Sequence, residues 1–306
     1  MSSMVEQRAT SFACGDAWLY GILSLPKPPI AAPAAPTVTR GVMVVVGGPQ
    51  YRVGSHRQFA LLARALAERG IPVMRFDYRG MGDSEGAPRS FEEVDDDLRA
   101  AVDAFLRDVP ALKDVVIWGL CDGASAGLFY AHKDPRISGL VLLNPWVRTE
   151  EGMAKAYLKH YYLSRLLSPD LWRKVFTGGF RVGAALASFA SLVGAATRSP
   201  AVDAAAASAP ASSAGTVATT VMSASLPDRM LAGAERFKGR LLVILSGNDL
   251  TAQEFSDVVG ASPRWRKRLQ APGVRQHSLA GANHTFSQRE WRDQVAGWTA
   301  DWVTSW

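Results

Sequence analysis

One of the two cysteines lies in a pentapeptide that is typical of a reactive turn. Cys121 is the centre of the run G-L-C-D-G at 119–123, which follows an apolar stretch. A nucleophile on a sharp strand-to-helix turn needs small neighbours, and Gly119 and Gly123 meet this need. Backbone N–H groups at the start of the helix favour a thiolate there. The spacing therefore predicts that Cys121 is a catalytic nucleophile, whereas Cys14 has no such context and is expected to be buried.

A thiolate nucleophile needs an acid–base partner, and the position of His284 fits that role. It lies in "LAGANHTF", between the strand-like "RQHSLA" and the last helix. Asp249 follows the apolar run "RLLVILSG" and is placed to fix the tautomer of the histidine. It is also placed to cap the helix that begins after it, and one residue can serve both purposes. The order Cys121, Asp249, His284 is thus the predicted triad, and the other histidines are expected on the surface or in the core: His56, His132, His160 and His277.

The elements that must position this triad show a repeating pattern. Continuous apolar runs predict strands buried on both faces of a parallel sheet, at 41–48, 71–80, 114–121, 137–145 and 240–247. Amphipathic stretches at 56–69 and 91–108 predict helices between them, and the tryptophan-rich run 285–306 predicts a last helix on the sheet. Residues 8–26 predict two strands around a turn at Cys14. The fold class expected is α/β, a mostly parallel central sheet flanked by helices.

Residues 147–235 interrupt the alternation. The predicted core is 1–146 with 236–306, and 147–235 is predicted to be a helical cap inserted before the penultimate core strands. The stretch 201–220 is of low complexity and is expected to be a loose linker. A cap at this point would cover the carboxyl edge of the sheet, where open α/β sheets bind ligands. Within it, His160, Tyr161 and Tyr162 are candidate substrate contacts.

The amino-acid composition and charge limit the classes of protein to which this chain can belong. The 306 residues include 48% hydrophobic side chains, which is enough for a large buried core. The net charge of +6 is spread along the chain apart from a cluster at 264–268, and no recognition motif accompanies it, so no nucleic-acid partner is expected. The first residues lack the apolar core of a signal peptide, and the low-charge stretch 182–197 is short for a membrane span. The expectation is a cytoplasmic protein without an integral membrane segment, and its oligomeric state stays open.

Several segments carry a resemblance to a known superfamily. The stretch "FDYRGMGDSEG" at 76–86 is similar to a loop of the monoacylglycerol-lipase-like and serine-aminopeptidase-like branch of the α/β-hydrolases. More narrowly, the chain resembles the exosortase A system-associated hydrolase 1 family, whose members are encoded beside exosortase and exopolysaccharide genes. That likeness is carried by "VVVGGPQYRVGSHRQF", "GLCDGAS" and "VLLNPWVRTE".

The resemblance implies an α/β-hydrolase fold and a hydrolase site, without a particular substrate. Together with the predicted triad, it leads to the hypothesis of an enzyme that cleaves an ester or thioester through an acyl-enzyme. Dienelactone hydrolases resemble this arrangement, with a Cys-His-Asp triad on the same fold. Such chemistry is expected to need no cofactor and no metal, and its partner is a small-molecule acyl substrate. The oxyanion hole is expected to use the backbone N–H of Asp122 and a second donor from Gln50, because Pro49 has no N–H where the branch usually supplies one.

Two alternatives remain beside hydrolysis. The first is acyl transfer to a glycan or a lipid-linked sugar, which would use the same triad. The second is a catalytically weak binding or scaffold protein with the same fold, for which the departure at Pro49 is the main support.

Overall fold

A single eight-stranded sheet organises the described part of the chain. The computed structural model of the protein describes residues 5–27, 39–48, 50–147 and 224–306. The strands lie in the order β1-β2-β4-β3-β5-β6-β7-β8. Their bounds are β1 Val5–Cys14, β2 Ala17–Pro26, β3 Arg40–Val45, β4 Val73–Phe76, β5 Asp114–Leu120, β6 Ile137–Leu143, β7 Arg240–Ser246 and β8 Val274–Leu279.

The sheet is parallel from β3 onward and antiparallel at one edge. Strands β1 and β2 form a hairpin, with Cys14 paired to Ala17 across the turn, and β2 runs antiparallel to β4. All pairs among β3 to β8 are parallel. The predicted α/β fold class, with a mostly parallel sheet, is therefore confirmed.

Alternate residues of the central strands face two separate apolar cores, as expected of strands buried on both sides. Ile117 of β5 faces one core, and Val116 and Trp118 face the other. The first core is covered by α2 to α6, and the second by α1 and α7. The helices are α1 Gln58–Glu68, α2 Asp95–Asp108, α3 Asp122–Tyr130, α4 Leu226–Arg236, α5 Leu250–Ala261, α6 Pro263–Leu269 and α7 Arg289–Val303. None of these described helices is long and apolar enough to cross a bilayer.

The tryptophans of the last helix pack on the sheet as predicted. Trp302 is buried in the second core, and Trp291, Trp298 and Trp306 are partly buried against it. His277 of β8 stacks on Trp298 with ring centroids 4.2 Å apart, so this histidine has a packing role.

The expected cap falls largely outside the described residues, because 148–223 are not described. This range includes the low-complexity stretch 201–220 and the candidate contacts His160, Tyr161 and Tyr162. Helix α4 is described, and it belongs with the sheet in one compact unit that resumes at Ser225. Its Met230 and Ala234 are buried in the first core, and a Cβ at Gly233 would lie 2.3 Å from the Leu128 carbonyl oxygen. Residues 226–235, assigned to the cap from sequence, thus pack with the core.

Candidate active site

Cys121 occupies the sharp turn between β5 and α3. Its backbone has φ 61 and ψ −126, a left-handed region that is costly for a residue with a side chain. The turn is fixed from both sides, since the Cys121 N–H donates to the Leu143 carbonyl at 2.9 Å and the Trp146 N–H donates to the Cys121 carbonyl at 3.2 Å. The side chain is partly exposed rather than buried. The sharp turn predicted from the pentapeptide is present, and its neighbours hold it in place.

The two glycines of the pentapeptide are required by close backbone contacts. A Cβ at Gly119 would lie 2.5 Å from the Gly123 carbonyl carbon and oxygen. A Cβ at Gly123 would lie 2.5 Å from the Val45 carbonyl oxygen. Any side chain at either position would force the helix away from the strands, so glycine is needed for steric reasons at both.

Asp249 and His284 meet at the same edge of the sheet. The His284 Nδ1 lies 2.9 Å from Asp249 Oδ2. Asp249 also caps α5, because its carboxylate accepts the N–H groups of Thr251 at 3.3 Å and Ala252 at 3.2 Å. The carboxylate therefore holds the histidine while its own position is fixed by the helix it starts. Cys121 is close enough to His284 to affect the pKa of the ring.

The electrostatics of the trio favour a charged imidazole. The hydrogen bond to Asp249 and the neighbouring Cys121 raise the pKa of His284 to about 10, against the opposing effect of burial. A basic imidazole that a carboxylate holds beside a cysteine side chain can accept or donate a proton there.

The loop that carries His284 is tied to the sheet by a buried polar pair that sequence reasoning missed. Asn144, at the end of β6 with φ 43, donates through Nδ2 to the Ser246 hydroxyl at 2.8 Å and to the His284 carbonyl at 3.1 Å. The Ser246 hydroxyl in turn donates to the Asn283 carbonyl at 3.0 Å. Both side chains are buried. The sequence feature that could have pointed to this pair is the polar residue at the end of each of two apolar runs, "VLLN" and "VILS".

The expected oxyanion donors lie on either side of the elbow. Asp122 begins α3, so its N–H is at a helix start. Gln50 lies in the loop after β3, and its side-chain oxygen accepts the Ser55 N–H at 3.1 Å. The amide oxygen is thereby engaged in its own loop, which leaves the backbone N–H and the side-chain NH2 group of Gln50 as the candidate donors. Pro49 lies outside the described residues.

The charged residues of the "FDYRGMGDSEG" loop have structural partners. Asp77 is fully buried, and its carboxylate accepts the Arg52 N–H at 2.6 Å and forms an ion pair with the Arg52 guanidinium. Arg79 forms an ion pair with the buried Asp97 at 2.8 Å. These contacts fasten the loop after β4 to the loop after β3 and to α2. Within the described residues, no group of three His, Cys, Asp or Glu side chains is arranged to hold a metal ion.

Comparison with known proteins agrees with this architecture. The sheet order and the turn after β5 define an α/β-hydrolase, a class that also contains the esterase Pf2001 of Pyrococcus furiosus. That structure superposes with a TM-score of 0.61 at 16% identity and covers 99% of this chain and 93% of its own. The family described as serine aminopeptidase, S33, matches residues 38–287, and the chain belongs to this family. The family is named for a serine, whereas this chain has Cys121 at the turn.

Two curated relatives match parts of the chain. The polyketide transferase grgF of a Penicillium species is 26% identical over 116 residues, which are 37% of this chain and 39% of the relative. The acyltransferase drtE of Aspergillus calidoustus is 29% identical over 133 residues, 42% of each. The matched part spans about two fifths of the length of these relatives.

Proposed function

We propose that the protein is a cysteine hydrolase that cleaves an ester or thioester through an acyl-enzyme. Cys121 is the nucleophile, His284 exchanges the proton, and Asp249 orients His284. The observation that carries the proposal is the hydrogen bond that holds His284 to Asp249 at 2.9 Å, together with the location of His284 beside Cys121 at the strained turn after β5. A nucleophile, a base and an orienting third group within hydrogen-bond reach are the geometric signature of such catalysis.

The first half of the reaction acylates the enzyme. The Cys121 thiolate attacks the carbonyl carbon of the substrate, a C–S bond forms, and the carbonyl oxygen becomes an oxyanion. As the oxyanion collapses, the bond to the leaving alkoxide or thiolate breaks, and His284 donates its Nε2 proton to that group. Asp249 keeps the ring in place through Nδ1, at 2.9 Å.

The second half releases the acid. A water molecule gives a proton to His284 Nε2 while its oxygen attacks the thioester carbon. The C–S bond then breaks, Cys121 leaves as a thiolate, and the imidazolium is restored. Each cycle thus begins and ends with His284 protonated. The raised pKa of His284, about 10, favours this state in the resting site.

The oxyanion is proposed to receive two backbone hydrogen bonds. One is from the Asp122 N–H at the start of α3, and the other is from the Gln50 N–H in the loop after β3. Removal of one such donor in other enzymes lowers kcat by roughly 10²–10³. The Ser55 N–H holds the Gln50 amide oxygen in this loop, and the NH2 group of the same amide is the alternative donor.

Acyl transfer is a second candidate, because two curated relatives are named as a polyketide transferase and an acyltransferase. The acylation half-reaction would be the same, and an alcohol, amine or thiol acceptor would replace water in the second half. The likeness of three segments to the exosortase-associated hydrolases supports an acceptor or substrate from an exopolysaccharide system.

The test is a screen of p-nitrophenyl esters and acyl thioesters of increasing chain length, with the wild-type chain and Cys121→Ala compared. The proposal expects turnover in the wild type, a trapped acyl-enzyme by intact mass, and neither in the variant. Addition of glycerol or a sugar acceptor then separates the two candidates. A transferase gives acylated acceptor in place of free acid, and a hydrolase does not. Turnover that survives in Cys121→Ala contradicts the proposed nucleophile.

A further inference from the structure

The side chain of Asp122 turns back from the start of α3 toward the loop after β3. Its Oδ2 accepts the Gly48 N–H at 2.8 Å, and its Oδ1 accepts the Gly123 N–H at 3.0 Å. The first of these bonds joins segments 74 residues apart in sequence. The residue directly after the nucleophile thus links the elbow to the loop after β3 by a direct hydrogen bond.

The loop leaves room for this carboxylate because it lacks side chains there. A Cβ at Gly47 would lie 2.1 Å from Asp122 Oδ1 and 2.6 Å from the Leu120 carbonyl oxygen. Gly48 has φ +61, which places it in the region that favours glycine. Gly47 leaves the space that the carboxylate occupies, and Gly48 gives the backbone turn that aims its N–H at Asp122, so the contact depends on the local structure of both segments.

The carboxylate is held in an environment that opposes its charge. Burial raises the pKa of Asp122, whereas hydrogen bonds from backbone N–H groups, that of Gly48 foremost, and the nearby His284 lower it. A carboxylate withdrawn from water is costly unless hydrogen bonds compensate it. Burial is the larger effect, so the pKa of Asp122 is raised, and the backbone donors that oppose it come from the two segments that flank the proposed oxyanion hole.

We infer that Asp122 is a positioning residue that couples the two halves of the oxyanion hole. The inference rests on the proposed function. The Asp122 N–H is one donor, and the Asp122 carboxylate fixes Gly48, two residues before the second donor at Gln50. Because Pro49 supplies no N–H, the loop has to present its donor from the residue beyond, and the anchor at Gly48 sets where that residue lies.

The rival explanation is that the carboxylate competes with the substrate for donors. It already accepts the Gly48 N–H, and a negative charge beside the hole would repel an oxyanion. The two explanations predict opposite changes in rate when the carboxylate is removed. A purely structural role makes a third prediction, in which the elbow itself is disturbed and every reaction of Cys121 slows.

The experiment compares Asp122→Ala and Asp122→Asn with Asp134→Asn as a matched control. Asp134 is also a buried carboxylate, bonded to the Tyr130 hydroxyl at 2.6 Å, and it follows the opposite end of α3. Three quantities are measured for each: kcat and KM on the best ester or thioester, affinity for a reversible aldehyde with the same acyl chain, and the rate of Cys121 alkylation by iodoacetamide. The aldehyde forms a tetrahedral oxyanion on Cys121, whereas alkylation forms none.

For Asp122→Ala we expect kcat and aldehyde affinity to fall together by roughly 10–10²-fold, with KM within about twofold and alkylation not slowed. Asp122→Asn keeps the side-chain volume and one acceptor oxygen, so its kcat and aldehyde affinity should lie between those of the wild type and Asp122→Ala. If Asp122→Ala does not fold, Asp122→Asn provides the test. Asp134→Asn should lower the melting temperature and leave kcat unchanged.

If kcat is unchanged or increased in both Asp122 variants, the inference is wrong. The rival explanation, in which the carboxylate competes with the substrate for N–H donors, is then favoured. Alkylation that slows in parallel with kcat overturns it in favour of a distorted elbow. A wild-type chain that turns over no ester or thioester, while its Cys121 is alkylated normally, contradicts the proposed function instead.

Discussion

The two cysteines of the chain are the same residue in opposite settings. Cys14 ends β1 with its side chain buried in the first core, among the side chains that include Phe12 and Phe76. Burial raises the pKa of its thiol, with the nearby Asp97 adding to the effect. Cys121 is partly exposed, lies at a left-handed turn and is a neighbour of His284. The comparison shows that backbone setting and a charged neighbour, rather than residue type, separate a packing thiol from a candidate nucleophile.

The largest expected difference between them concerns turnover. Cys121→Ala should lower kcat by at least about 10³-fold, because the covalent intermediate can no longer form. Cys14→Ala should leave kcat/KM within about twofold and lower the free energy of unfolding by about 1 kcal/mol, since it removes one buried heavy atom. Steady-state kinetics and urea denaturation of both variants measure the two effects. Equal losses of activity in the two variants would mean that Cys121 has no special role.

Replacement of each cysteine by serine should give the second-largest difference between the two positions. Cys121→Ser should fold normally and lose about 10²-fold in kcat, because a hydroxyl is far less ionised than a thiol and its shorter bond leaves the oxygen farther from the acyl carbon. Cys14→Ser should keep its activity and lose stability, because it buries a hydroxyl in an apolar core. Full activity in Cys121→Ser would show that the thiol is not required.

Selective alkylation gives a smaller contrast that needs no substrate. At pH 7 iodoacetamide should modify Cys121 and leave Cys14 unmodified until the protein unfolds, which peptide mass mapping distinguishes. His284→Gln should slow the modification of Cys121 by about tenfold, since the neighbouring base that can take the thiol proton is gone. The matched variant His277→Gln removes a histidine that stacks on Trp298 away from the elbow, and it should not change the rate. Equal slowing in both variants would contradict a specific effect of His284.

The last effect expected is the contribution of His284, beside Cys121, to the dependence of stability on pH. The pKa of His284 is raised to about 10, so the folded state binds this proton more tightly than the unfolded chain does. The resulting stabilisation is fully present below the ordinary histidine pKa of about 6.5 and is lost as pH rises through about 10. The melting temperature of the wild type should therefore exceed that of His284→Gln by more at pH 6 than at pH 10. If the difference in melting temperature grew with pH, folding would lower the pKa of His284 rather than raise it.

Much of the fold could be predicted because it depends on local pattern. The apolar runs gave the strands of the sheet, since strands covered on both faces need apolar residues at successive positions. The pentapeptide predicted the elbow because its glycines are required by backbone contacts within one turn. The position of His284 after β8 and of Asp249 after β7 followed from the convergence of parallel strands at one edge of the sheet.

The features that escaped prediction depend on pairs of distant segments. Asn144 and Ser246 lie 102 residues apart, and nothing local shows that their side chains meet and hold the His284 loop. The Asp122 carboxylate is read from sequence as a helix-start charge, and its bond to Gly48 follows only from how β3 and β5 pair. Helix α4 has an amphipathic pattern that suits a cap or a core equally, and the close approach of Gly233 to Leu128 decides between them.

The closeness of the backbone at the elbow has an evolutionary consequence. Neither Gly119 nor Gly123 has room for a Cβ, so a substitution at either position would disturb the turn itself. Position 121 does not lack room for a Cβ in this way, because its side chain extends away from the turn. A lineage can therefore exchange sulfur for oxygen at 121 by one substitution and keep the scaffold intact. Such descendants would inherit a folded but slow enzyme, and selection would then act on the surrounding polar groups rather than on the frame.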